Sequence, residues 1–158
     1  MRPFFAAVIV AAAAVAAPAA YAAPPPSQTL KLLQPTIPKV PSPVAVLAMV
    51  RSTLIAVDQG NKTGNYTVVR DIGGPDFRDA NTPAKLSLVF ANLVEQGVDM
   101  LPVLVVEPQY REAPRLTARR MLYVAGTFNI QPKRISFELL FDVWKGEWRL
   151  YGVSIVPG

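Results

Sequence analysis

The spacing of apolar residues changes period near the middle of this chain. From Val44 to Gln59, Leu47, Val50, Leu54 and Val57 recur at three- and four-residue steps. That stripe predicts an amphipathic helix, with Gly60 as its stop. A shorter helix is expected over Asn65 to Ile72, ended by Gly73-Gly74-Pro75. Thr82-Pro83 offers a capping hydroxyl and a proline for the first turn. The third helix it opens shows Leu86, Val89, Phe90 and Leu93 on one face and ends at Gly97. Beyond Gly97 the apolar residues alternate or run together. Leu101 to Glu107 reads as a short strand closed by Pro108. Arg120 to Ile130, Ile135 to Trp144 and Trp148 to Val156 read as three longer ones, rich in aromatic and β-branched residues. Helices followed by strands predict an α+β domain, with three N-terminal helices packed on a curved antiparallel sheet of about four strands.

Turn chemistry sets a register for those strands. Closing the last hairpin on Lys145-Gly146 pairs Val143 with Trp148, Phe141 with Leu150, Leu139 with Gly152 and Phe137 with Ser154. Closing the one before it on Pro132-Lys133 pairs Phe128 with Phe137, Gly126 with Leu139, Val124 with Phe141 and Leu122 with Val143. Both choices turn the same side chains of the middle strand inward, and a one-residue slip would reverse them all. The inner face is then apolar except for Ser154. On the outer face Tyr123, Asp142 and Arg149 form one row, Ala125, Leu140 and Tyr151 the next, and Thr127, Glu138 and Val153 a third.

The N-terminus has a different character. Arg2 precedes an apolar run from Phe4 to Ala20, and Ala20-Tyr21-Ala22 has the small-residue pattern of a cleavage site. Residues 1–22 therefore read as a secretory signal peptide. The run sits at the lower edge of the roughly 17–25 residues that span a bilayer, so membrane attachment is expected only if the leader is uncleaved. Residues 23–43 contain Pro24, Pro25, Pro26, Pro35, Pro38, Pro41 and Pro43, and read as an extended tether. Residues 44–158 are left for a single domain. An exported protein, periplasmic or secreted, is the expectation.

Composition narrows the chemistry. The chain has no cysteine and no histidine. Disulfides, thiolate ligands, imidazole bases and a Ser-His-Asp triad are thereby excluded. No metal site, cofactor motif or catalytic motif is recognisable. The net charge of +5 is spread along the chain, and without a basic stripe interleaved with aromatics it does not suggest a nucleic-acid partner.

The segments RSTLIAVDQGNKTGNYTVVRDIGGPDF and FELLFDVWKGEWRLYGVSIVP, in this order of elements, resemble the nuclear-transport-factor-2-like (cystatin-like, SnoaL-like) superfamily, and within it small exported bacterial proteins. The resemblance covers roughly Val44 to Pro157. It implies a cone-shaped domain, in which enzymes of the superfamily carry an aspartate, tyrosine or histidine inside the cone. This chain departs from that pattern, with no histidine and no acid on the inner face of its long strands.

Three functions follow as expectations. The first is a non-enzymatic module that binds a small apolar ligand or a protein. Its pocket would be bounded by Phe90, Phe128, Phe137, Phe141 and Trp148, with Tyr66 and Arg70 on the helix edge. The second is an envelope assembly subunit, self-associating as a homodimer through Tyr123, Leu140, Tyr151 and Val153 on the outer sheet face. The third is a carboxylate-dependent isomerase or lyase using Asp58, Asp71 or Glu107, although Asp58 near a helix end is expected to be solvated.

Overall fold

The computed structural model describes residues 38–158. The leader and most of the tether lie outside the described residues. Among the described residues the fold is α+β, with five helices followed by an open antiparallel sheet of five strands. The helices are α1 (Pro43–Thr63), α2 (Thr67–Asp71), α3 (Pro75–Ala80), α4 (Pro83–Val89) and α5 (Ala91–Glu95). A 3-10 turn, Leu101–Leu104, leads to β1 (Gln109–Tyr110), β2 (Arg115–Leu116), β3 (Leu122–Phe128), β4 (Ile135–Trp144) and β5 (Glu147–Pro157). The order across the sheet is β1-β3-β4-β5, and β2 also pairs with β3.

Helix α1 starts where its chemistry dictates. Pro43 occupies the first turn and the Ser42 hydroxyl accepts from the Ala45 N–H at 3.3 Å. The helix ends four residues later than expected. Gly64, with φ 73°, is the left-handed cap, and its N–H bonds to the Gly60 carbonyl. Gly60 is instead a packing gap: a Cβ there would stand 2.6 Å from Cδ1 of Tyr66. The buried stripe is Val46, Val50, Leu54 and Val57, with Leu47 half-buried beside it.

The expected third helix is two. Thr82 caps α4 by accepting from the Lys85 N–H, as its sequence suggests. The helical path then breaks at Phe90, whose ring is buried against Tyr66 with ring centroids 6.0 Å apart. Val89 faces solvent and Leu86, Phe90 and Leu93 are buried. Gly73-Gly74 does end the second helix, but Pro75 then starts α3, which the apolar pattern did not announce.

Leu101 to Glu107 is not a strand. Pro102 favours a helical first turn. The Arg51 guanidinium from α1 takes the carbonyls of Val103 and Val106, at 2.9 and 3.0 Å, that a strand would have offered to a neighbour. The sheet gains β1 and β2 in exchange, both on the edge of β3.

Both register expectations need correction. Strands β3 and β4 pair Leu122 with Phe141, Val124 with Leu139, Gly126 with Phe137 and Phe128 with Ile135. This is a two-residue step from the expected pairing, so the same side chains still face inward. The cause is a longer loop, residues 129–134, from which Ile130 folds back into the core. Strands β4 and β5 pair as expected from Val143–Trp148 to Phe141–Leu150, and then slip by one between Leu140 and Phe141. Tyr151 is the extra residue of a β-bulge. Beyond it Leu139 faces Val153 and Phe137 faces Ile155, while Gly152 and Ser154 turn outward. The unbulged register would have left Val153 and Ile155 in water and Ser154 against the core. Burying an aliphatic side chain fully is worth about 1.5–3 kcal/mol, so even partial burial of two favours the slip.

Candidate interaction surface

The space between helices and sheet is filled by the chain's own side chains. Phe90, Phe128 and Phe137 are fully buried there and Phe141 nearly so. Phe128 and Phe137 lie ring to ring at 5.5 Å. Trp148 packs on the rim of this core, where with Phe141, Met49 and Ile72 it lines a shallow groove. Tyr66 is buried, its hydroxyl donates to Asn61 Oδ1 at 2.8 Å, and burial pushes its pKa up. Arg70 is half-exposed and bonds Asp71 at 2.9 Å. Tyr66 and Arg70 are therefore separated, one within the core and the other outside it.

The carboxylates considered for catalysis are engaged. Asp71 holds Arg70, and the exposed Glu107 holds Arg51 at 2.9 Å. Asp58, expected in solvent, is fully buried. Its Oδ1 accepts from the Met100 N–H at 3.0 Å and its Oδ2 from Lys62 at 2.8 Å. Lys62 also bonds Asp99 at 2.8 Å. Hydrogen bonds that Lys62 donates to both acids raise its pKa, and Lys62 lowers that of Asp99. This triad ties the end of α1 to the chain entering the 3-10 turn. Sequence reasoning missed it, although Asp58 follows directly on the buried stripe and Lys62 stands four residues on. Among the described residues, no group of three acidic side chains is placed to hold a metal ion.

On the outer face the rows are Arg115, Tyr123, Leu140 and Gly152, then Ala125, Glu138 and Ser154. The Arg115 guanidinium lies 5.0 Å over the Tyr123 ring, a cation–π contact. Arg111 reaches Glu138 at 2.6 Å. Of the four residues expected to form an outer apolar patch, Tyr123 and Leu140 are paired there. Tyr151 sits in the bulge and Val153 packs on the core side. Asp142 does lie opposite Arg149, but Arg149 bonds Glu147, and the Asp142 carboxylate accepts from the Val143 N–H.

No family model, curated protein or solved structure matches this chain. Its own geometry carries the argument, and two surface features stand out.

The first is an apolar groove of about 440 Å³ where the chain enters α1. Val40, Pro41, Pro43 and Val46 form one wall, and Tyr110, Ala113 and Pro114 the other. Burial raises the Tyr110 pKa, and nearby Glu107 adds to the shift.

The second is the free edge of β5. Arg111 N–H bonds the Ala125 carbonyl, so Ala125 faces away from β4 and its neighbour Val124 bonds Leu139. Leu139 and Phe137 therefore spend their backbone groups on β3. Opposite them, Val153 and Ile155 turn their N–H and C=O groups away from β4. The other side of the strand agrees: Leu150, two pairs along, gives its N–H to Ile72 and its C=O to Gly74. No described residue outside the sheet bonds the backbone of Val153 or Ile155.

Proposed function

We propose that this chain is an exported, non-enzymatic module that works by binding a protein. The observation that carries the reading is the filled interior. Phe90, Phe128, Phe137 and Leu139 occupy the space where a cone-shaped relative would keep a substrate, and the candidate acids are committed to Arg and Lys partners. Recognition is left to the surface, where the β5 edge and the outer rows around Tyr123 and Leu140 are available. The order of helices before an antiparallel sheet supports placing the chain among nuclear-transport-factor-2-like folds, with the interior closed. The apolar leader supports a periplasmic or secreted location.

The test is a photo-crosslinking amino acid placed at Tyr123, and separately at Val156, in the full chain expressed in its own cells. Discrete adducts in the envelope fraction are expected. Absence of adducts from both positions overturns the reading.

One observation favours a second reading, the binding of a small apolar ligand. The groove beside Pro43 is lined almost wholly by carbon and is of ligand size. Titration with lipophilic probes, read by Tyr110 and Tyr110→Ala spectra, decides it. Saturable binding lost in Tyr110→Ala supports the ligand, and no binding removes it.

A further inference from the structure

The edge of β5, unpaired among the described residues, has the features of a strand built to meet itself. We infer that β5 pairs antiparallel with β5 of a second copy, about a two-fold axis at Ser154. The inference rests on the protein-binding reading above and names the partner.

Exposed sheet edges are ordinarily defended by charged side chains, which make pairing with another strand costly. From Leu150 to Gly158 no side chain of this chain is charged. Its bulge and Pro157 limit the edge at either end and leave Val153 and Ile155 between them with backbone groups that no described residue bonds.

Those two residues select the register. With the axis at Ser154, Val153 faces Ile155 of the second copy, and each exchanges both its N–H and its C=O with the other. Moving the axis to Ile155 would set Val153 against Pro157, which has no N–H. Moving it to Val153 would set Ile155 against the bulged Tyr151. Only the Ser154 axis uses every free donor and acceptor of both residues.

The side chains fit the same axis. On the outer face Ser154 meets its own copy, a small polar pair. Val156, a large apolar side chain 56 % exposed, lies opposite Gly152, which has no side chain to obstruct it. A Cβ on Gly152 would be in ordinary contact with Leu140, so Leu140 is beside the spot that Val156 would cover. On the inner face Val153 and Ile155 extend the two cores toward one another. No like charges are set directly opposite across the axis.

The experiment uses the mature full-length chain. Sedimentation velocity at high micromolar concentration is expected to show a doubled mass. The chain has no cysteine, so Ser154→Cys introduces one alone. Across the axis the two Cα atoms would be about 4.5 Å apart, within the range a disulfide bridges. Val156→Cys, displaced along the strand, is the control. Oxidation is expected to link Ser154→Cys into dimers about tenfold or more faster than Val156→Cys, because the paired thiols are held at high effective concentration. Ser154→Lys and Ser154→Glu, each exposed on the outer face, should separately abolish the doubled mass, and an equal mixture should restore it. A monomer at every concentration, or equal crosslinking of the two cysteine variants, overturns the inference. If adducts to other proteins still form at Tyr123, the binding reading stands while self-pairing falls.

Discussion

Lys62 Nζ lies 2.8 Å from Asp58 Oδ2, one turn along α1, in an ion pair whose acid is fully buried and whose base is 41 % exposed. The asymmetry decides which partner matters more. Removing Lys62 strands a carboxylate in the core, and breaking a buried pair in this way costs about 3–5 kcal/mol. Lys62→Met is expected to lose stability on that order in chemical denaturation. Asp58→Asn keeps an acceptor for the Met100 N–H and leaves Lys62 with Asp99, so its loss should be smaller. Equal losses in the two variants would mean that the charge on Asp58 is not what Lys62 holds in place.

The same triad sets a pH dependence with a defined sign. Lys62 titrates above its ordinary value near 10.5 in the folded chain, so the stability it contributes is complete below that pH and is lost as pH rises through the folded value. Asp99 titrates below its ordinary value near 3.8, so its contribution is present above that pH and lost as pH falls through the folded value. Glu112, held by Arg115, acts in the same direction. No histidine titrates between these limits. Denaturation midpoints should be flat from about pH 5 to 9 and fall on both sides. Lys62→Met should flatten the alkaline limb. An unchanged alkaline limb in that variant would remove Lys62 as its source.

Arg51 clamps the 3-10 turn by its guanidinium fork, with one arm on Val103 and the other on Val106 and Glu107. Arg51→Lys keeps the charge but cannot hold two carbonyls in the same geometry. It is expected to cost about 1–3 kcal/mol, the worth of bonds from a charged donor. Faster hydrogen exchange should follow at Val105 and Val106, whose N–H groups bond the Pro102 carbonyl. Glu107 is three-quarters exposed, and Glu107→Ala should cost less than about 1 kcal/mol. The reverse order would make the turn depend on the surface ion pair.

Local signals in the sequence were readable wherever the chain's own neighbours decide the structure. The Thr82 cap, the Lys145-Gly146 turn and the inward set Phe137, Leu139 and Phe141 all stand where the pattern puts them. What failed depended on partners distant in sequence. Arg51 draws a β-rich segment into a 3-10 turn across more than fifty positions. Asp58 is buried because the Met100 N–H, 42 positions on, meets its carboxylate. β1 and β2, two residues each, are too short to leave a period. The bulge at Tyr151 did leave a trace, since the simple register placed Ser154 against the core and Val153 and Ile155 in water. That mismatch was the signal for a one-residue slip, and with it for the edge on which the candidate interaction rests.

Gly60 and Gly64 separate two uses of glycine within one helix. Gly60→Ala gains helix propensity of about 1 kcal/mol, but its Cβ would stand 2.6 Å from the Tyr66 ring, and overpacking typically costs about 1–3 kcal/mol. The net expectation is destabilisation, with a shift in Tyr66 absorbance as the ring moves. Gly64→Ala meets no atom within 4 Å and is penalised only by its left-handed backbone, by about 1 kcal/mol. It should lower stability without touching the Tyr66 spectrum. A spectral change in Gly64→Ala would show that cap and ring are coupled.

The two strand glycines make the same contrast across the sheet. The simple register set Gly126 and Gly152 in one row beside Leu139, and the observed pairing puts Gly126 opposite Phe137 and Gly152 opposite Leu140, on different faces. A Cβ on Gly126 would meet the Gln109 carbonyl at 2.7 Å and the Phe137 ring at 3.0 Å. The obstruction is backbone on one side and a fully buried ring on the other, so neither can yield cheaply. Gly126→Ala is expected to detach β1 and cost at least about 2 kcal/mol, seen as faster exchange at the Arg111 N–H that bonds Ala125. On Gly152 a Cβ would rest 3.7 Å from Leu140, an ordinary contact, so Gly152→Ala should change folding stability by less than about 1 kcal/mol. Equal tolerance at both sites would mean that β1 is not held against Gly126 as described.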